Sequence, residues 1–148
     1  MLVATDKGIA GQIQESGYAL KYEFWTRKPI DRQGAHKIEQ PYYGMSSGPV
    51  AVSRACIRNH KSIYLLGFDL GGNDLFNNVY ADTEFYKRST DKATYAGNWI
   101  SQLQQIFKIF SKVHFYRVNG IGSMDIKFNC DNNETVSIAD FDSRINKL

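Results

Sequence analysis

The chain has 148 residues, 43% apolar and 22% charged, with a formal net charge of +3. That length suits one domain around one core. The small charge, with no Lys/Arg run, argues against a nucleic-acid footprint, and no stretch approaches the roughly 20 apolar residues that span a bilayer. "MLVATDKGIAG" lacks a basic leader followed by an apolar core, so no signal peptide is expected, and the expected location is the cytoplasm.

In chain order, "LVAT" at 2–5 reads as a short strand leading into Asp6. Residues 7–19 carry Ile9, Ala10 and Ile13 at helical spacing, with Gly17 as the end of the helix. "KYEFWTR" at 21–27 alternates as a strand, so the first 27 residues read β-α-β. Residues 28–44 are polar, contain two prolines and read as one long connection. A helix is expected over 49–60, with Pro49 at its first position and Ser47 or Gly48 as its cap. "SIYLLGFDL" then predicts an apolar strand covered on both faces. Residues 71–92 read as loop, and Trp99, Leu103, Ile106, Phe107 and Phe110 predict a long amphipathic helix. Strands are expected at 113–119, 123–129 and 134–138, and a short helix closes the chain, starting near Ser137 or Ala139. Alternating strands and helices predict an α/β sandwich with a mainly parallel sheet, to which the closing strands could add an antiparallel C-terminal edge.

Ligands of such sheets bind beyond the carboxyl ends of the strands. Ser46, Ser47 and Gly48 precede a helix, where small residues leave N–H groups open to a phosphate or carboxylate. The competing reading is that they only cap it. Neither a Walker A loop nor GxGxxG is present. Asp69 follows an apolar strand and could meet a ribose hydroxyl, a metal or a base, or simply form a turn; Asp6 stands in the same relation to "LVAT". Asn77, Asn78, Tyr80, Tyr86, Lys87 and Arg88 supply amides, rings and charge that could close over a nucleotide or sugar, or fill a subunit contact. The same aromatics could stack on bases, but Asp74, Asp82, Glu84 and Asp91 interleave with the cations and oppose phosphate. Cys56 and Cys130 fit no metal-ligand spacing, and two reduced thiols are expected rather than one disulfide.

The "SSG" turn, the Ala/Val-rich run and "IYLLGFD", followed by "NNVY" at 77–80, resemble a segment of a Rossmann-like group. That group includes hydroxymethylpterin diphosphokinase MptE-like proteins, bacterial sialyltransferase-like proteins and short phage-encoded proteins. The resemblance implies a single Rossmann-like three-layer domain over residues 1–148 and a nucleotide or nucleotide-sugar ligand, with no cofactor identified. Ser46, Ser47 and Gly48 would hold phosphate, and Asp69 would border the site as the candidate catalytic residue. It implies a phage accessory protein in the host cytoplasm, with a transferase-like scaffold. The alternative is a non-catalytic virion or assembly protein that self-associates as a homo-oligomer through its aromatic loop.

Overall fold

The computed structural model describes residues 1–70, 80–91, 97–120 and 122–147. The chain has the expected α/β character with parallel strands, and it divides into two compact units, Met1–Ile57 and Arg58–Leu148.

In the first unit, β1 (Leu2–Val3), β2 (Phe24–Thr26) and β3 (His36–Lys37) form a parallel sheet in that order. Between β1 and β2 run α1 (Lys7–Glu15) and α2 (Tyr18–Lys21). Gly17 separates the two helices with φ +74°. A side chain is strained in that left-handed region, which is why glycine commonly ends helices. Phe24 and Trp25 point to opposite faces of β2, as strand geometry requires. Phe24 packs with Ala4, Ala10 and Ala19, against which Ile9 and Ile13 of α1 also lie. On the other face the Arg54 guanidinium of α3 (Ser47–Ile57) sits 3.7 Å from the centre of the Trp25 ring. The unit is thus three layers: α1, sheet, α3.

Three expectations change here. The stretch 28–44 is not one uninterrupted connection, because it contains β3, whose His36 ring stacks on Trp25 across the strand pair at 4.9 Å. The polar "HK" carried no apolar alternation to announce it. Second, α3 begins at Ser47 rather than Pro49. Ser47 and Gly48 are therefore its first two residues, and Pro49 is the third, still within the first turn where no intrahelical N–H partner is lost. Third, α1 is shorter than 7–19, and α2 follows it as a separate turn.

In the second unit, β4 (Ser62–Leu65), β5 (His114–Asn119) and β6 (Asn133–Ser137) are parallel, with β5 in the centre. The C-terminal edge strand β6 is therefore parallel to its neighbour, not antiparallel. On one face Phe115 of β5 stacks on Phe107 of α4 (Gly97–Ile109) at 4.2 Å, and Phe107 meets Phe128 edge-on. Leu103, Ile106 and Phe107 are the buried stripe of α4, while Trp99 is only half-buried. On the other face Tyr116 stacks on Tyr64, and Phe141 and Arg144 of α5 (Ile138–Ile145) cover the pair. This is again a three-layer arrangement.

The apolar strand expected through residue 70 stops at Leu65. Leu66 is 55% exposed, and Gly67 turns with φ +73°, so β4 is a short edge strand, with Leu65 buried on one face and Tyr64 against Phe141 on the other. The strand expected at 123–129 does not form. The backbone of this stretch bonds elsewhere instead. Met124 donates its N–H to the Asp69 carbonyl, and its own carbonyl accepts from Arg117. Asn129 exchanges two bonds with the Gln104 side chain.

Candidate functional site

The carboxyl ends of β1 and β2 open on a cavity of about 630 Å³. It is lined by Thr5, Asp6, Lys7, Gly8 and Gly11 from the β1–α1 turn and helix, and by Thr26, Arg27, Lys28 and Ile30 after β2. The size is in the range of small-molecule sites. The position is the one the parallel-sheet rule gives, at the N-terminus of the helix that follows the first strand.

Three side chains tie the surrounding segments together, Gln14 and Arg27 from the lining and Ser47 through its bonds to Thr5. Gln14 of α1 is 2% exposed. Its Oε1 accepts the Ile30 N–H at 2.7 Å, and its Nε2 donates to the Ala10 carbonyl at 3.0 Å and reaches the Lys28 carbonyl at 3.5 Å. Gln14 thus holds the 28–30 segment over the helix. Arg27 donates through Nε to the Tyr43 carbonyl and through Nη2 to the Gly44 and Met45 carbonyls, holding the turn that leads into α3. Ser47 Oγ accepts the Thr5 N–H at 3.0 Å and lies 3.0 Å from Thr5 Oγ1. The end of β1 and the start of α3 are therefore bonded to each other.

At the mouth, Asp6 is the residue before α1, and its carboxylate caps no backbone N–H of the helix. The first turn of α1 contains no acidic side chain but does contain Lys7. The helix dipole and Lys7 both favour a negative ligand group there. Lys7 and Lys28 are exposed, and Asp6 and Glu15 offset part of the cavity's positive charge.

The predicted residues fall as follows. Asp6, Ser46, Ser47 and Gly48 belong to the first unit and Asp69, Tyr80, Lys87 and Arg88 to the second. Asp6 lines the cavity; Ser46 precedes α3, and its carbonyl accepts the Val50 N–H. The Ser47 hydroxyl bonds Thr5, which gives it a structural role. Asp69 lies four residues past the end of β4, exposed, and its Oδ1 accepts the Ser123 hydroxyl at 3.0 Å. In segment 80–91 the Tyr80 and Tyr86 rings meet at 5.6 Å. Asp82 accepts the Ser89 N–H there, a bond that holds its carboxyl below the usual range, and the Arg88 N–H is taken by Asp91. Asn77 and Asn78 lie outside the described residues.

Sequence reasoning missed Lys7, Gln14, Arg27 and Lys28. The available signals were two glycines, Gly8 and Gly11, in the helix after the first strand, and a glutamine, Gln14, one turn after the apolar Ala10. The cysteines are free, Cys56 buried and Cys130 half-buried. Among the described residues no helix is long and apolar enough to cross a membrane. No protein-family model, curated protein or solved structure matches the chain.

Proposed function

We propose that the first unit binds a phosphate-bearing nucleotide or nucleotide-sugar in the cavity at the carboxyl ends of β1 and β2. The observation that carries this reading is that the cavity opens on the N-terminal turn of α1 and is lined by Lys7 and Gly8 from that turn and by Lys28 after β2. A phosphate placed there meets the positive end of the helix dipole and two lysines. Gly8 lets the ligand approach the backbone closely. The remaining volume, walled by Thr26, Ile30 and the α1 residues Ala10 and Gly11, accommodates the rest of the ligand. The phosphate position differs from the Ser46–Gly48 turn suggested by the sequence, because the Ser47 hydroxyl is already engaged by Thr5.

Any transfer reaction would rest on positioning and charge stabilisation, the roles the cavity's lysines and helix end can fill. The test is isothermal titration calorimetry of the full chain against a panel of nucleotides and nucleotide-sugars. Binding of at least one member, weakened severalfold by Lys7→Ala and by Lys28→Ala, supports the reading. No binding at millimolar concentration, or binding indifferent to both substitutions together, overturns it.

A further inference from the structure

The second unit holds a buried cation whose hydrogen bonds are largely unmade. On β5, Phe115, Arg117 and Asn119 share one face, since strand residues alternate. Phe115 is covered by Phe107 of α4, and Arg117 is the next residue along that face, towards the strand's carboxyl end. Arg117 is 3% exposed. Its Nη2 donates to the Met124 carbonyl at 2.6 Å, while Nε and Nη1 are buried with no partner among the described residues. The Asn119 Oδ1, two residues on, is likewise buried and unpartnered.

An arginine side chain carries five N–H donors and stays protonated in proteins. Here burial lowers the proton affinity of the guanidinium, and the charges of Asp125 and Asp69 oppose this only in part. Yet among the described residues no carboxylate makes an ion pair with it, and Asp69 instead accepts from Ser123. A buried charge left without a partner is costly. The geometry also fixes what is on offer. Nη2 has two protons, one beside the Nε proton and one beside the Nη1 protons. Whichever of them Met124 takes, one complete two-donor edge of the guanidinium is left unbonded among the described residues, and such an edge matches two oxygens of one oxyanion.

We propose that Arg117 and Asn119 form an anion site at the carboxyl end of β5, for a ligand whose carboxylate or phosphoryl group is flanked by a hydroxyl or amine. The oxyanion takes the open edge of Arg117, and the adjacent donor satisfies Asn119 Oδ1. The site belongs to the second unit, and the proposal does not rest on the reading of the cavity in the first.

The experiment is thermal unfolding of the full chain with inorganic phosphate, glycolate or acetate, each compared with chloride at equal ionic strength. Glycolate and acetate differ in the hydroxyl that Asn119 would accept. A saturable rise in Tm with glycolate above acetate assigns a hydroxylated carboxylate, and a rise with phosphate assigns a phosphoryl group; either supports the site. Asn119→Asp places a carboxylate of the same size on the Arg117 face. It is expected to raise the Tm without added anion and abolish the response, whereas Lys7→Ala/Lys28→Ala keeps it. Arg117→Lys retains the charge but not the planar edge, and should weaken the response at least about tenfold. If Arg117→Lys does not fold, Asn119→Asp decides alone. No response beyond chloride, or an unchanged response in Asn119→Asp, overturns the proposal.

Discussion

Ser47 Oγ lies 3.0 Å from both the backbone nitrogen and the hydroxyl of Thr5, joining the first helical residue of α3 to the end of β1. Ser47→Ala removes both bonds and leaves the Thr5 N–H without its acceptor, while Thr5→Val removes only the hydroxyl contact. Ser47→Ala should therefore cost more, about 1–3 kcal/mol, and Thr5→Val about 0.5–1.5 kcal/mol. The two are in direct contact, so their effects should be non-additive by at least about 0.5 kcal/mol. Urea unfolding of both single variants and the double variant measures this. Equal costs that simply add would refute the pairing.

Gln14 supplies a second tie, from α1 to the segment after β2. Gln14→Leu leaves the Ile30 N–H without the 2.7 Å acceptor it has now, at an expected cost of about 1–3 kcal/mol. Gln14→Glu keeps that acceptor but turns a carboxylate oxygen against the Ala10 carbonyl at a buried position, so near neutral pH it should destabilise as well. Hydrogen exchange at the Ile30 amide reports the tie directly and should accelerate in Gln14→Leu well before global unfolding. Unchanged exchange would place the tie elsewhere.

What could be read from the sequence follows the strength of the apolar pattern. The α4 stripe of Leu103, Ile106 and Phe107 and the alternation in "HFYRVN" both became the elements they suggested, because those side chains face a core. β3 was illegible: two polar residues form it, and only pairing with Trp25 and Thr26 makes them a strand. "SMDIKFN" misled for the opposite reason. It has strand-like alternation, but its backbone bonds go to the Asp69 carbonyl, the Arg117 guanidinium and the Gln104 side chain rather than to a strand. The candidate site was half legible. A strand-end Asp6 and a cavity at the carboxyl rim follow from local pattern and topology. That Ser47 would be consumed by Thr5, 42 residues away, depends on tertiary contact that no local spacing encodes.

Gly34 has φ +78°, and a Cβ added there would stand 2.5 Å from the Ala19 carbonyl oxygen. Two penalties coincide, a left-handed backbone that L side chains disfavour and a clash with main chain that cannot swing away. Gly34→Ala should destabilise by at least about 1–3 kcal/mol from the backbone alone. Gly17 has a similar φ but nothing within 4 Å of its added Cβ, so Gly17→Ala should cost less. Tm values for the pair in that order are the expected outcome; the reverse order would contradict the Ala19 approach.

The start of α5 predicts an acid-sensitive helix. Ser137 Oγ accepts the Asp140 N–H, and the Asp140 carboxylate in turn accepts from the Ser137 hydroxyl and N–H, forming a capping box. The Ser137 side-chain bond is the main cause holding the Asp140 carboxyl below its ordinary value, with the backbone bond second. A lowered folded-state value means stability that is present above the unfolded value and lost as pH falls through the folded one. Wild type should therefore lose more stability than Asp140→Asn between about pH 5 and pH 2, and the gap between them should close in acid. Urea titrations at several pH values test this, and parallel profiles would exclude the box as the source.

Burial pushes the Cys56 thiol up to about 12. At pH 8 it is almost wholly protonated, and the thiolate is the reactive form. Cys130 is half-buried, with the Asn133 amide Nδ2 donating to its sulfur at 3.2 Å. An aromatic disulfide reagent should therefore modify one thiol per folded chain, and both in denaturant. Cys130→Ser should abolish the fast reaction in the folded protein, and Cys56→Ser should leave it intact. Two thiols reacting at similar rates in the native state would show that Cys56 is not enclosed as its 6% exposure implies.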